Sequence, residues 1–452
     1  MHAAISDTDV ERVASALAGA PSAAYAAPLI YPWSVRNFEP NPLAERQRQS
    51  TEPLRLYVHI PFCNYRCTFC FYAVRAGADH AEKERYVAAV ERELEWIRPG
   101  TVLSHLFVGG GTPTALPPDL LARVLGAIFA RSTASPDRDH TVEASPESIS
   151  EAHIRVLQDH GIGRVSMGIE SMNEAVLDTV HRRHSVADAR TACRMIVAGG
   201  LTLNIDLIYG LPGQTEDSFR RDLEAAVEDG VASVCLYALR LNRNTPVAGQ
   251  LRAEEHFDLA RLMRWRAFVT QSATELGLTQ THPYTFKRLN GRPYRRSTRR
   301  PIALDQLGVG MGARSQLEGT VYRNHERCSL YMDRTERGLS PVESLFHLDL
   351  DDRKTQYLAG TLGDGRPLER AAYENAFGVS IDSDFDERLE RLRNGGLISD
   401  DGGQIELTAM GRLVYDRVLL CFYPERAVRW LQAQATESDR FAPARSPSAG
   451  GQ

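Results

Sequence analysis

The chain has 452 residues, 43% of them apolar and 25% charged, with a formal net charge of −5. That length can bury one large barrel domain plus a smaller one. The mild acidity argues against a nucleic-acid partner, and no apolar run approaches the roughly 18 residues that a membrane span requires.

Residues 1–50 are rich in Ala and Pro, with one short helical pattern, and IYPWSVRNFEP predicts an irregular N-terminal arm. No compact apolar core follows a basic stretch there, so the segment does not read as a secretory signal. Six short apolar runs follow: LRLYVHI (54–60), HLFVGGG (105–111), TVEAS (141–145), RVSMGIE (164–170), LNIDLIYG (203–210) and SVCLYALR (233–240). Helical patterns fill the gaps. Tyr86, Val90, Leu94 and Ile97 recur at near-helical spacing after Asp79, a good N-cap residue, and Thr215 to Val227 reads as an amphipathic helix after a Pro-Gly turn. Strands alternating with helices predict parallel pairing through right-handed crossovers. Periodicity alone does not separate a partial barrel from a doubly wound sheet.

After residue 250 the pattern changes to a helical stretch (254–277), the basic segment KRLNGRPYRRSTRRP and then DQLGVGMGARSQL. Beyond 350, helix, Gly turn, strand and helix succeed one another through Leu389–Ile398, DDGG and IELTAMGRLVYDRV, which suggests a winged-helix-like unit. Nothing basic is concentrated there, which argues against the DNA-binding role common to such units. The expected division is an arm (1–50), a barrel core (51–250), a barrel-completing, substrate-facing segment (251–348), a C-terminal domain (349–432) and a disordered tail (433–452).

The most specific signal is YVHIPFCNYRCTFCFY, in which Cys63, Cys67 and Cys70 follow the first strand run with the spacing C-x3-C-x2-C. Three thiolates can bind three irons of a [4Fe–4S] cube and leave the fourth iron open. The other cysteines, Cys193, Cys235, Cys328 and Cys421, are scattered and read as buried thiols in a reducing, cytoplasmic setting. GGGTPT (109–114) ends the second strand run, where consecutive glycines let a ligand approach the backbone. Glu143 ends the third.

With this motif the chain resembles the radical S-adenosylmethionine (SAM) superfamily. The run GIGRVSMGIESMNEAVLDTVHRRHS is similar to the branch of oxygen-independent coproporphyrinogen III oxidase. The resemblance spans about Pro53 to Tyr423. It implies a partial (β/α)6 barrel with an α-rich, winged-helix-like C-terminal domain. It also implies a [4Fe–4S] cluster on the three cysteines, one or two molecules of SAM, and a reducing donor such as flavodoxin or ferredoxin. SAM would chelate the open iron and be cleaved to methionine and a 5′-deoxyadenosyl radical. Carried over residue by residue, the SAM contacts would be Tyr57, Phe69, Gly110, Gly111, Thr112, Glu143, Glu170, Arg182, Asp206 and Ala238, with Ile208 beside a second SAM. Glu170 departs from the branch, which has glutamine there.

The branch contains oxidases, haem chaperones and two-SAM methyltransferases. Its oxidases continue the ligand motif with a fourth cysteine where this chain has Tyr72. Haem chaperones are expected to be shorter. Both departures favour methyl or methylene transfer to an sp2 carbon of a small molecule, ahead of tetrapyrrole decarboxylation and then of haem handling. No catalytic acid or base stands out; His282, Tyr284 and His325 are candidates. Lys287, Arg288, Arg292, Arg295, Arg296, Arg299 and Arg300 could receive substrate carboxylates or phosphates, although a solvated loop explains them as well.

Overall fold

All six apolar runs form strands: β1 (Leu54–Ile60), β2 (Thr101–Gly110), β3 (Thr141–Ala144), β4 (Arg164–Glu170), β5 (Thr202–Tyr209) and β6 (Ser233–Ala238). The computed structural model describes residues 5–18, 39–40, 54–134, 140–241, 245–251, 258–289, 306–317, 319–429 and 431. The six strands pair in parallel and in chain order. The barrel they make is open. Gln306–Val309 pairs in parallel on the free edge of β1, and Thr285–Lys287 pairs antiparallel on β6. The sheet is extended beyond 306–309 by antiparallel strands Arg314–Leu317, Thr320–Asn324 and Val342–His347.

Crossover helices include His80–Leu94, capped by Asp79 through a 2.8 Å bond from the Glu82 amide, and Glu216–Glu228, capped reciprocally by Thr215 and Ser218. The helical pattern around 254–277 is helix Leu259–Glu275. Five basic positions of the expected anion-receiving segment (Arg292 to Arg300), most of the N-terminal arm and the tail lie outside the described residues.

Strand alternation sets the chemistry. Leu56, Val58, Leu106, Val108, Val142, Val165, Met167, Ile205, Leu207, Val234 and Leu236 are buried against the helices. The opposite parity holds Tyr57, Phe107, Glu143, Ser166, Asn204, Asp206, Ile208, Cys235 and Tyr237. These pair across the sheet as Tyr57 with Phe107, Glu143 with Ser166, Ser166 with Asn204, and Asp206 with Cys235. Side-chain direction has period two, so the barrel interior is the polar half of each strand.

Glu93 ties the later segment to this barrel. Its carboxylate is 1% exposed and accepts from the Gly310 amide (2.8 Å), Asn324 Nδ2 (2.9 Å) and the Tyr331 hydroxyl (2.7 Å).

Residues 37–353 (with 1–6) form one compact unit, and 7–36 with 354–452 form another. In the second unit helix Asp7–Ala16 packs on helix Ile381–Asn394. Strands Leu368–Glu369, Gln404–Leu407 and Ile398–Asp400 make a small antiparallel sheet, and Asp400 accepts from both Arg370 (2.6 Å) and Arg393 (2.7 Å). Two helices with a strand hairpin are the winged-helix-like arrangement expected of this segment.

Glu93→Ala strands several buried donors, each costing about 1–3 kcal/mol. The variant should melt well below the wild type, while Glu93→Gln, which keeps one acceptor, should melt between them; thermal unfolding followed by circular dichroism checks this ordering.

Candidate active site

The three cysteines leave the C-terminal end of β1 in a loop held mostly by its backbone. Phe62–Cys63 pairs in parallel with Arg75–Ala76. Arg75 N donates to Pro61 O (2.7 Å), Thr112 N to Phe62 O (2.8 Å) and Thr68 N to Val180 O (3.2 Å). His59 Nε2 reaches Ala73 O (3.1 Å), and its Nδ1 meets the Tyr57 hydroxyl (3.0 Å). Burial lowers the pKa of His59 to about 4. The ring is therefore neutral, and Nε2 donates to the carbonyl while Nδ1 accepts from Tyr57.

The glycine run lies under this loop. A Cβ on Gly111 would stand 2.6 Å from Pro61 O and 2.7 Å from Phe62 O. Gly110 has φ +118°, and a Cβ there would meet the His59 ring at 2.6 Å. Gly111 is therefore required for contact, and Gly110 for both contact and conformation. Thr112 Oγ1 lies 3.7 Å from Cys63 Sγ.

Cys63, Cys67 and Cys70 are partly buried free thiols. Burial raises all three, Cys63 to about 11, so metal uptake would have to displace protons. Among the described residues no three His, Cys, Asp or Glu side chains close on one point as they would around a single ion. Thiolates that each take a different iron of a cube stand farther apart. Arg182 fits such a group. Its side chain is 8% exposed, Nη1 donates to Cys67 Sγ (3.5 Å), Nη2 donates to Gly168 O, and Nε has no acceptor. A buried guanidinium with an unused donor beside a thiol is built to accept an incoming anion.

Three carboxylates from consecutive strands crowd one another near it, and Glu170 is the one that approaches Arg182. Glu143 accepts from the Gly110 amide (2.9 Å). Asp206 accepts from Asn204 Nδ2 (2.8 Å) and Ser166 Oγ (3.2 Å). Glu170, at φ +73° beside a register shift in β4, lies 3.9 Å from Arg182 Nη2. Burial, reinforced by the neighbouring acids, raises Glu143 to about 7 and Glu170 to about 7, the latter against the pull of Arg182. Burial also raises Asp206 to about 6, opposed by Arg164 and the two hydrogen bonds. The site thus concentrates negative charge that a bound cation would relieve.

Phe69 and Ile208 meet in one apolar cluster with Val176, Val180, Leu211, Leu239, Leu241 and Val247. Tyr57 stacks on Phe107 at 6.2 Å. Ala238 ends β6, paired with Tyr209 of β5. The resemblance therefore named residues that the barrel gathers on its open end, although it overlooked several. Glu147 is among these; burial is outweighed by His184, Arg182 and Ser145, which hold its pKa at about 2. His184 Nδ1 lies 3.6 Å from Glu147 Oε2. Asn204 and Ser166 were legible from strand parity alone.

Of the acid–base candidates Tyr284 reaches this group, its ring 5.2 Å from that of Tyr237 on the interior face of β6, whereas the histidines and Arg288 make other contacts. His325 pairs with Glu343 (3.4 Å), His282 with Thr281 (3.3 Å), and Arg288 donates to Val227 O (3.0 Å). Of the remaining cysteines, Cys193, Cys235 and Cys421 are buried and Cys328 is partly so.

Residues 57–226 match the Radical SAM superfamily model. The barrel is a radical SAM domain. The heme chaperone HemW of Mycobacterium tuberculosis is 29% identical over 381 residues, 81% of this chain and 94% of the chaperone. The oxygen-independent coproporphyrinogen III oxidase of Pseudomonas aeruginosa is 28% identical over 408 residues, 83% and 86% of the two chains. The solved coproporphyrinogen III oxidase HemN of Escherichia coli, a radical SAM enzyme, superposes with TM-score 0.71 at 25% identity over 82% of this chain and 90% of that one. The match takes in nearly all of the chaperone but only 81% of this chain, so the chaperone is the shorter of the two, and the similarity to it is as strong as that to the oxidase. Among the described residues no helix is long and apolar enough to cross a membrane.

Gly111→Ala must push back the Pro61–Phe62 backbone that carries Cys63. Iron bound after anaerobic reconstitution should fall to less than half of the wild-type value with unchanged circular dichroism; full iron uptake would show that the loop tolerates the shift.

Proposed function

We propose that the protein is a radical SAM enzyme whose cluster is held by Cys63, Cys67 and Cys70. When bound, such a cluster supplies the electron that cleaves SAM to methionine and a 5′-deoxyadenosyl radical. The observation that carries the reading is Arg182, between the Cys67 sulfur and Glu170, beside a cluster of three mutually crowded carboxylates on consecutive barrel strands. SAM has matching groups: a carboxylate for Arg182, a sulfonium and an amine for the acids, and ribose hydroxyls for Asp206, Glu170 or both. Gly110, Gly111 and Thr112 would receive its amino-acid part, Phe69 and Ala238 its adenine surroundings. Tyr57, held through His59, would shield the cluster side.

For the reaction we favour C-methyl or methylene transfer to an sp2 carbon of a small molecule. Ile208, two residues beyond Asp206 on the interior face of β5 and packed in an apolar cluster with Phe69, supports a second SAM beside it. Tyr72, in the position of the oxidases' fourth cysteine, supports the same choice. A flavodoxin- or ferredoxin-like donor would supply electrons. The second reading is tetrapyrrole chemistry or haem handling, favoured by the full-length similarity to HemW and to the coproporphyrinogen oxidase.

The deciding experiment is anaerobic reconstitution with methyl-labelled SAM and mass spectrometry of the products. Methyl transfer predicts label in the substrate and in part in deoxyadenosine. Loss of carbon dioxide from an unlabelled substrate would move the oxidase reading first. Changing Cys63, Cys67 and Cys70 together to Ala should abolish SAM cleavage, and a triple variant that still cleaves SAM ends the radical reading altogether.

Charge also fixes a pH dependence. With pKa values raised to about 7, 7 and 6, Glu143, Glu170 and Asp206 are neutral at low pH and charged only above that range. A cation binds the charged forms, so SAM affinity should rise as pH increases from about 5.5 to 7.5 and fall on the way down. Calorimetric titration checks the direction, and Glu143→Gln should flatten the curve.

A further inference from the structure

The second compact unit holds a cavity of about 300 Å³ that the barrel chemistry does not use. One wall is helix Ile381–Asn394, on which Arg388 and Arg391 stand one turn apart and line the cavity together. The floor is the end of helix Tyr415–Leu420 and the chain after it, where Leu420, Cys421 and Tyr423 are all buried. Phe385 and Phe422 hold wall and floor together, their rings edge to face at 5.3 Å. The Arg388 guanidinium lies over the Phe385 ring, 5.5 Å from its centre, which holds it at the cavity edge. Residues 425–429 are helical and close the third side with Glu425, Val428 and Arg429. Cys421 Sγ donates to Arg417 O (3.6 Å), so the thiol is part of the floor. The charge is unbalanced: three guanidiniums face one carboxylate, which leaves two positive charges unmatched. Arg12, Arg366, Arg370 and Arg393 of the same unit each meet an aspartate. Arg388, Arg391 and Arg429 form no ion pair among the described residues.

We propose that this cavity binds a phosphomonoester with a compact apolar body. Such a group carries about 1.5–2 negative charges near pH 7 and three strong acceptor oxygens, which match the surplus of the arginines. Planar guanidinium forks take these oxygens in pairs. The body lies on Leu420, Tyr423 and Val428 and gains apolar contact there that free phosphate cannot make. The volume stands at the lower end of small-molecule sites, which run about 300–1,000 Å³, so the body is on the scale of a single ring. The carboxylate of Glu425 repels a second acid group, which disfavours a dicarboxylate of the same charge. All the lining residues belong to the unit that does not carry the cysteine loop, so this site stands whatever reaction the barrel performs.

The test is calorimetric titration of the full chain with phenyl phosphate, inorganic phosphate and benzoate. Phenyl phosphate should bind most tightly of the three. Changing Arg388 and Arg391 together to Gln should weaken it at least about tenfold, the scale of lost charged hydrogen bonds. Arg429→Gln, on a separate segment, should weaken it as well, so the outcome does not hang on the folding of one variant. Val428→Ser should weaken phenyl phosphate and leave inorganic phosphate unchanged. Arg182→Ala should bind phenyl phosphate as the wild type does. Unchanged affinity in the arginine variants overturns the site. So does a loss confined to Arg182→Ala, which would place the anion in the barrel. Inorganic phosphate binding as tightly as phenyl phosphate would reduce the cavity to an unselective anion patch, and benzoate binding as tightly would overturn the preference for a phosphomonoester.

Discussion

Burying three carboxylates together is the constraint on which the site depends. Glu143, Glu170 and Asp206 stand on consecutive parallel strands, and strand parity leaves them no direction but the barrel interior. Water cannot fully solvate them there, so their proton affinity rises. Asp206 is partly relieved by Asn204 and Ser166, and Glu143 by a single backbone amide. Arg182 reaches Glu170 and is shared with Cys67, while Arg164 opposes the shift of Glu143 and Asp206. An arrangement of this kind costs stability when empty of cations and gains it when a sulfonium enters. That gain is available for orienting a ligand.

The second requirement is rigidity without side-chain ligation. The cysteine loop is fixed by backbone bonds to Pro61, Thr112 and Val180 and by the neutral His59 bridge. Glycines at 110 and 111 let that loop lie on the end of β2. Three thiols are therefore presented from a frame that does not rely on the metal to shape it. A loop of this kind can hold a cofactor at a set depth below the carboxylates, as proximity catalysis requires. Glu93 performs a comparable service farther out by holding Gly310, Asn324 and Tyr331 to the first crossover helix.

Much of this was legible in the sequence, for identifiable reasons. The strands were visible because helix-facing positions such as Leu56, Val58, Ile205 and Leu207 must be apolar, and Asp79 and Thr215 marked helix starts by capping chemistry. Gln306–Val309 was not read as a strand, since DQLGVGMG looks like a turn-rich loop until β1 offers it an edge. The cysteine spacing exposed the cluster loop, and resemblance supplied Glu143, Arg182 and Asp206. The Glu147–His184 contact was invisible because it is made between the end of one strand and a turn after another. Glu93 was likewise hidden, since a glutamate on an amphipathic helix normally faces water. Tyr72 was noticed only as a missing cysteine. Its stacking on Phe71 depends on the fold of the loop, which periodicity does not report.

The central claim is that SAM binds at Arg182 and the three acids in contact with an open iron. The most direct measurement is the electron paramagnetic resonance spectrum of the dithionite-reduced, reconstituted protein before and after addition of SAM. The account predicts a clear change in the spectrum on adding SAM to the wild type, and a change that needs at least about tenfold more SAM in Arg182→Ala, which loses a charged hydrogen bond worth about 1.5–3 kcal/mol. Identical spectra with and without SAM in the wild type would contradict it.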